Sequence, residues 1–397
     1  MIQRYIYAAI LKDLERKIIL LSGPRQVGKT TLSKTFFSTR QYLNWDLMEH
    51  RPIVLKKAWD RSYDLLILDE LHKMAKFKSF LKGIYDTEGV KPRILVTGSA
   101  RLDITKKLGD SLAGRYLPFR LHPLDLWELK NFGGEQYQDL KKNYESLKAY
   151  SGFPEPFFLA SSGEYQRWAK THQDIILKQD LLDLESVRNI SSLETMLSLL
   201  QGRVGSTVSA RSLAEDLHKD SKTIQNWLMI LENLYLFFRV PPYHKNLARA
   251  LTKEPKYYFY DLARVQGDEG AILENLVALS LQKQLDYLGD AHGIFGQLYF
   301  VRTRDGEEID FYVHWENSVK HPPLLIEVKT SDSNLSRGLT KLGASFPQAK
   351  KIQLVLNLDR EKHYPSGEKI LPLLPWLSEM PLISESPLRQ TYPNLST

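Results

Sequence analysis

One stretch near the N-terminus constrains the fold of this chain more than any other. Residues 18–31 read IILLSGPRQVGKTT, an apolar run followed by Gly-x-x-x-x-Gly-Lys-Thr and the polar start of a helix. This pattern predicts a strand, a loop whose backbone amides face a phosphate group, and a helix. We expect Lys29 to reach the β- and γ-phosphates of a nucleotide, and the Thr30 hydroxyl to complete the coordination of Mg²⁺. An ordinary glycine-rich turn is the alternative, and the apolar run before the loop favours phosphate binding. The predicted nucleotide-binding residues are Gly23, Pro24, Arg25, Gln26, Val27, Gly28, Lys29, Thr30 and Thr31.

A second apolar run ends in two acids. Residues 64–70 read DLLILDE, which is typical of a strand buried on both faces of a parallel sheet. Because the carboxyl ends of parallel strands lie beside the ligand, both acids should be near the phosphates. We expect Asp69 to hold Mg²⁺ through water and Glu70 to orient and deprotonate the attacking water. A helix cap at Asp69 is the alternative, and the presence of two adjacent acids favours the metal site.

A further apolar run, residues 93–97, ends in Gly-Ser-Ala-Arg. We expect Ser99, in preference to Thr97, to contact the attacking water or the γ-phosphate. Arg115 precedes another apolar run and is a candidate arginine finger that enters the site of a neighbouring subunit in a ring. A surface ion pair is the alternative for Arg115, and Arg101 is the competing finger.

Four segments together resemble a known family. They read GPRQVGKTT, LLILDELHK, VTGSAR and LAGRYLPFRLHPLDLWEL, and they resemble the core of a family of AAA+ ATPases found in bacteria and archaea. The resemblance covers residues 1–130 and continues more loosely from SGFPE at 151–155. It implies a P-loop α/β domain, hydrolysis of ATP with Mg²⁺, and a homo-oligomer, for which a hexameric ring is plausible. In the mostly helical lid that follows, Gly152 and Pro154 indicate a turn between helices, not a site.

Residues 206–262 predict a winged helix-turn-helix, with helices over 210–218 and 222–233 capped by serines, followed by two β-like runs. The second helix turns Lys222, Gln225 and Asn226 outward, where they are expected to contact a DNA major groove. Cations of the wing, expected to contact phosphates, are Lys245, Arg249, Lys253 and Lys256. Contact with a protein is the alternative role for this module.

The last part of the chain brings together an acid on a long predicted helix, Glu274, and three residues on predicted strands. Glu327 and Lys329 share one face of a strand because residues two apart point the same way, and Asp310 lies on the preceding hairpin. This set resembles the PD-(D/E)XK nuclease fold, which implies that the Asp and Glu bind Mg²⁺ and that the lysine helps to activate water. A scaffold that only binds nucleic acid or protein is the alternative.

Length and composition complete the prediction. The chain of 397 residues has no cysteine, which excludes disulfides and thiolate catalysis, and its net charge of +7 fits a polyanionic partner. No apolar run reaches the ~20 residues of a membrane span, so we expect no membrane association and a cytoplasmic location. The predicted regions are an AAA+ parallel-sheet ATPase core (1–132), a helical lid (133–205), a winged helix (206–262), a nuclease-like α/β domain (263–375) and a tail (376–397).

Two functions follow from these patterns. The first is ATP-driven processing of duplex or branched DNA by translocation, branch migration or repair, with metal-dependent cleavage by the last domain as an added activity. The second is a nucleotide-gated switch that regulates a protein partner in defence or signalling.

Overall fold

The apolar runs of the N-terminal region form a five-stranded sheet in this computed structural model, which describes residues 2–98, 112–180, 190–244, 253–303, 305–317, 321–331, 334–379 and 382. The strand order is β2-β3-β4-β1-β5, and all neighbouring strands are parallel. The strands are β1 Ile18–Ser22, β2 Arg40–Asn44, β3 Leu65–Asp69, β4 Arg93–Thr97 and β5 Tyr116–Arg120. The predicted parallel α/β core is therefore confirmed.

Alternate residues of these strands enter two separate hydrophobic clusters, so both faces of the sheet are covered. Ile19 and Ile67 belong to one cluster, whereas Leu20 and Leu66 belong to the other. This explains why the strands are apolar throughout instead of alternating with polar residues. The helices around the sheet are α1 Tyr7–Asp13, α2 Lys29–Ser33, α3 His50–Leu55, α4 Phe77–Glu88 and α5 Leu126–Phe132.

A helical region follows the parallel sheet. It consists of α6 Leu140–Tyr150, α7 Pro154–Leu159, α8 Ser162–Ile175 and α9 Ile190–Gln201. The same hydrophobic cluster that covers one face of the parallel sheet continues through these helices, for example through Tyr144, Phe157 and Met196.

The next elements have the order predicted for a winged helix. They are α10 Ala210–Leu217, α11 Ser221–Asn233, β6 Phe237–Val240 and β7 Lys256–Phe259, and the two strands pair antiparallel. Ser209 caps α10 as expected, because its side chain accepts hydrogen bonds from the amides of Arg211 and Ser212. The expected cap at Ser221 is wrong by one residue: the carboxylate of Asp220 accepts from the amide of Thr223 at 2.8 Å and begins α11.

The C-terminal elements form a second, mixed sheet of six strands in the order β12-β13-β11-β10-β9-β8. A long helix, α12, precedes them, and α13 lies between β10 and β11. The strands predicted around Asp310 and Glu327 are present, whereas the two short strands β12 and β13 have no counterpart in the sequence prediction. The bounds are α12 Glu269–His292, β8 Gly296–Arg302, β9 Glu308–Trp315, β10 Leu324–Lys329, α13 Arg337–Lys341, β11 Lys350–Val355, β12 Lys362–His363, β13 Lys369–Pro372 and α14 Leu373–Ser378.

None of the helices in the part of the chain that the structure describes combines the length and the apolar character that crossing a bilayer requires.

Candidate functional site

The loop after β1 has a backbone that only glycine permits at its first position. Gly23 has φ +146°, and a Cβ there would lie 2.3 Å from the carbonyl oxygen of Leu121. Gly28, with φ +101°, ends the loop directly before α2. The Lys29 ammonium is buried inside the loop and donates to the carbonyls of Gly23 at 2.9 Å and Pro24 at 2.7 Å. The Lys29 ammonium is thus held where the phosphates of a nucleotide bound along the loop would lie.

Asp69, at the carboxyl end of β3, is the centre of a hydrogen-bond cluster. Its Oδ2 accepts from the Thr30 hydroxyl at 3.1 Å and from the Tyr42 hydroxyl at 2.5 Å, and its Oδ1 accepts from the Thr97 hydroxyl. The structure therefore brings Thr30 and Asp69, the two predicted Mg²⁺ residues, into contact. A hydroxyl and a carboxylate side by side fit Mg²⁺, which prefers oxygen ligands and retains several waters.

Glu70 lies half-buried beside this cluster in a left-handed backbone conformation, with φ +55°. Burial raises the pKa of its carboxyl to about 7, against the opposing charge of Lys29. Its Oε2 makes no hydrogen bond and lies 3.6 Å from Nδ1 of His72, whose pKa is lowered to about 4 by burial and by the charge of Lys73. A carboxyl that titrates near neutrality suits a general base.

A cavity of about 660 Å³ opens next to the loop. Its volume falls in the range of small-molecule sites, and most of its lining is apolar. One wall is the N-terminal segment before the sheet, a second is the loop with α2, and a third comes from the lid. The lining residues are Ile2, Gln3, Arg4, Tyr7, Gly28, Thr31, Leu32, Thr35, Leu124, Pro154 and Phe158. The turn that the sequence indicated at Gly152 and Pro154 therefore also supplies part of a pocket.

Arg4 connects this cavity to the interior. Its guanidinium is buried, donates to the Val27 carbonyl of the loop at 2.8 Å, and pairs with Glu128 at 2.7 Å. Sequence reasoning missed Arg4, because a lone arginine before a short helix carries no recognisable pattern.

The four residues predicted for a nuclease centre lie close together where α12, which carries Glu274, meets the strands of the C-terminal sheet that carry Asp310, Glu327 and Lys329. The Asp310 carboxylate accepts from the Val328 amide at 2.8 Å, and Lys329 pairs with Glu327 at 2.7 Å. Burial and the charge of Asp310 raise the pKa of Glu274 to about 7 and that of Glu327 to about 8. Within the described residues, however, no group of three or more histidine, aspartate or glutamate side chains is arranged to hold a metal ion.

The exposed face of α11 carries the predicted Lys222, Gln225 and Asn226, and it also carries Met229, which is 53% exposed. Lys253 is exposed as well. Among the remaining wing cations, Lys245 and Arg249 lie outside the described residues. The expectation that Lys256 contacts phosphate is wrong, because its side chain is 1% exposed and its ammonium is bound to Glu274 and Glu308.

Three segments of the chain match family models. Residues 15–130 match an AAA domain, residues 141–265 match a domain of unknown function (DUF8612), and residues 269–376 match another (DUF4143). Residues 15–130 form an AAA-type, ATPase-like domain. The match covers the phosphate loop, Asp69 and Glu70 of this AAA-type domain.

The similar proteins are distant. An uncharacterized protein of Mycobacterium tuberculosis is 25% identical over 336 residues, which are 81% of this chain and 72% of that protein. An uncharacterized protein of Methanocaldococcus jannaschii is 24% identical over 340 residues, 77% of this chain and 74% of its own. A solved signal transduction ATPase with numerous domains and a tetratricopeptide repeat sensor, from Pyrococcus horikoshii, matches at 14% identity and a TM-score of 0.21, over 73% of this chain. The chain spans 47%, about half, of that structure.

The remaining predicted residues of the AAA-type domain lie away from the phosphate loop or outside the described ranges. Arg115 directly precedes β5, at the end of the sheet where the parallel strands begin, whereas the phosphate loop follows the carboxyl end of β1. Its guanidinium pairs with Asp86 at 2.6 Å. This surface ion pair is the alternative given for Arg115 above, and a finger role between subunits stays a prediction. Ser99 and Arg101 lie outside the described residues. Tyr42 and His72 join the site without a sequence signal strong enough to select them, and Thr97, to which Ser99 was preferred above, donates to Asp69.

Proposed function

We propose that the chain binds ATP with Mg²⁺ at its phosphate loop and hydrolyses it. One observation carries this proposal: the Thr30 hydroxyl contacts the Asp69 carboxylate while Lys29 and Glu70 flank the pair. Bound Mg²⁺ would neutralise charge on the β- and γ-phosphates. Lys29 would bind the same phosphates, Thr30 and Asp69 would hold the ion, and Glu70 would take the proton of the attacking water.

The neighbouring cavity is the place we assign to the nucleoside. Tyr7 and Phe158 offer aromatic surface for a planar base, and Gly28 and Thr31 connect the cavity to the phosphate loop. A ligand in this position would touch both the N-terminal segment and the lid. Binding would therefore change the contacts between these two parts of the chain.

We further propose that the ATP cycle acts on DNA, with duplex or branched DNA as substrate and a homo-oligomeric ring as the working form. The support is the net charge of +7 together with exposed Lys222, Gln225 and Asn226 on α11. Amide side chains suit base edges, and lysine suits phosphate. We do not extend this proposal to strand cleavage, because an ammonium already occupies the carboxylate cluster of the C-terminal sheet.

The second candidate is a nucleotide-gated switch that binds a protein partner. Met229 favours it, since this flexible apolar side chain is 53% exposed on the same face of α11 as Gln225 and Asn226. Methionine is overused at surfaces that bind proteins.

The test is ATP hydrolysis by the full chain with single-stranded, duplex and four-way DNA. Lys29→Ala should lose nucleotide binding, whereas Glu70→Gln should bind ATP and hydrolyse it about 10²- to 10⁴-fold more slowly, the usual contribution of a general base. Lys170→Ala, an exposed position on α8, is the matched control and should behave as wild type. Unchanged turnover in both site variants would remove the ATPase assignment.

The DNA arm of this experiment separates the two candidates. If DNA acts through α11, duplex or four-way DNA should change the turnover, and binding should weaken with rising salt because counterions are released from phosphates. Lys222→Glu should weaken binding to all sequences. If none of the DNAs changes the rate of ATP hydrolysis and no salt-dependent DNA binding is found, the switch is favoured.

A further inference from the structure

A lysine from the two-stranded sheet lies buried among the carboxylates of the C-terminal sheet. Lys256 begins β7, and its ammonium donates to Glu274 on α12 at 2.9 Å and contacts Glu308 on β9 at 2.5 Å. The ring of Phe300 lies 5.3 Å from the same ammonium. A buried charge is tolerated only when it is paired and hydrogen-bonded, and both conditions are met here.

Two of the surrounding carboxylates have further hydrogen-bond partners. Glu274 also accepts from the Tyr258 hydroxyl at 2.5 Å, and Asp310 accepts from the Val328 amide. Burial works to lower the pKa of Lys256, but the charges of Glu274, Asp310 and Glu308 together raise it above its usual value. The lysine therefore stays protonated, and these acids already have a permanent cation.

We infer that the Lys256 ammonium takes the position that a divalent cation would need, so that this carboxylate cluster is closed by an internal cation and binds no Mg²⁺. Mg²⁺ demands near-octahedral oxygen ligands, whereas Oε1 of Glu274 already accepts from both the Lys256 ammonium and the Tyr258 hydroxyl, and Oε1 of Glu308 is bound to the same ammonium. Because Lys256 belongs to β7 and its acids to α12 and β9, the same contact fastens the two-stranded sheet to the C-terminal sheet.

One consequence follows for the chemistry of the last domain. Without a bound metal, phosphodiester cleavage by Glu327 and Lys329 has no Lewis acid, so we expect that the domain does not cut nucleic acid. The inference does not depend on ATP hydrolysis, which takes place at the phosphate loop of the other sheet.

The first test measures Mn²⁺ binding to the full chain by calorimetry in nucleotide-free buffer. Glu327→Gln is the diagnostic variant, because Oε2 of Glu327 is buried without a hydrogen-bond partner and is the oxygen that a cation at this cluster would use. We expect either no binding, or binding that Glu327→Gln leaves unchanged and that belongs elsewhere. Binding that disappears in Glu327→Gln overturns the inference.

The second test removes the internal cation. Lys256→Ala should unfold at a lower temperature than wild type, and Mn²⁺ at 100 times its dissociation constant should raise that temperature by about 3 °C, with ionic strength matched by NaCl. Wild type and Lys341→Ala, which removes an exposed lysine paired with Glu307, should gain no such shift. A folded Lys256→Ala that ignores Mn²⁺ contradicts the inference, and if neither this variant nor Lys256→Met folds, the calorimetry on wild type decides.

Discussion

Burial changes the acid–base behaviour of single side chains next to the phosphate loop. His172 of α8 is 2% exposed, stacks on Trp168 at 4.6 Å between ring centroids, and approaches the Arg25 carbonyl with Nε2 at 3.2 Å. Burial and the charge of Arg264 lower its pKa to about 3. The folded state therefore requires a neutral imidazole at this position.

This requirement predicts a loss of stability in mild acid. Because the folded pKa of His172 lies below the unfolded value of about 6.5, its contribution is complete above pH 6.5 and is lost as the pH falls, by about 1.4 kcal/mol per pH unit. Urea unfolding of wild type and His172→Gln at about pH 7, 6 and 5 measures this. The glutamine variant should show the shallower dependence on pH, since other groups contribute equally to both proteins. Parallel curves would contradict the pKa assignment.

Individual residues differ in how well the sequence predicted them. Lys29, Thr30, Asp69 and Glu70 were predictable because their spacing relative to strand ends fixes where they lie. Tyr42 lies on a neighbouring strand, and its bond to Asp69 depends on the pairing of Asn44 with Asp69 in the sheet. Strand register of this kind is set by packing, which no local pattern in the sequence encodes.

At the scale of elements, the turn between α6 and α7 determines the shape of the cavity beside the phosphate loop. The Leu124 amide donates to the Gly152 carbonyl at 2.7 Å, and a Cβ on Gly152 would lie 2.4 Å from the Leu124 carbonyl oxygen. This close approach sets the start of α7, whose Pro154 and Phe158 line the cavity.

Gly152→Ala should therefore displace α7, cost about 1 to 3 kcal/mol of stability, and weaken ATP binding. Gly163→Ala is the matched control within α8, where an added Cβ meets nothing within 4 Å. Thermal unfolding and titration with a fluorescent ATP analogue measure both effects. If Gly152→Ala binds the analogue as tightly as Gly163→Ala, the turn does not shape the site.

Elements with long apolar runs were the most predictable. The strands β1, β3, β4 and β10 were predictable from their mainly apolar residues, because a strand buried on both faces consists mostly of apolar residues. In contrast, β12 has only two residues, and β13 ends in a proline. Strands this short depend on an existing neighbour for their hydrogen bonds: β13 pairs with β11, and β12 pairs with β13.

At the scale of the whole molecule, α12 joins the C-terminal sheet to the AAA-type domain through buried charges. Lys283 pairs with Asp125 at 2.9 Å and with Glu128 at 2.7 Å, and Arg120 pairs with Asp290 at 2.7 Å. No pattern in the sequence indicates these contacts, because charged residues in a helix ordinarily face water. They make the separately predicted regions parts of one connected interior.

Removing one partner of such a buried pair leaves the other charge uncompensated. Lys283→Met should therefore lower the free energy of unfolding by about 3 to 5 kcal/mol. Lys148→Met breaks a half-exposed pair between α6 and Glu269, an acid that lies on α12 as Lys283 does. This variant should cost at most about 1 kcal/mol. Urea denaturation followed by tryptophan fluorescence compares the two variants. Equal losses of unfolding free energy would show that burial does not increase the contribution of the Lys283 pairs to stability.

Lys283→Met also tests whether α12 influences the proposed nucleotide site. Glu128, the acid that Lys283 neutralises, holds Arg4, and Arg4 donates to the Val27 carbonyl of the phosphate loop. Loss of the lysine changes the charge around Arg4 although Lys283 does not line the cavity. We therefore expect weaker ATP binding in Lys283→Met and unchanged binding in Lys148→Met, measured by the same fluorescent titration. Unchanged affinity in a folded Lys283→Met would mean that the buried pairs serve stability alone.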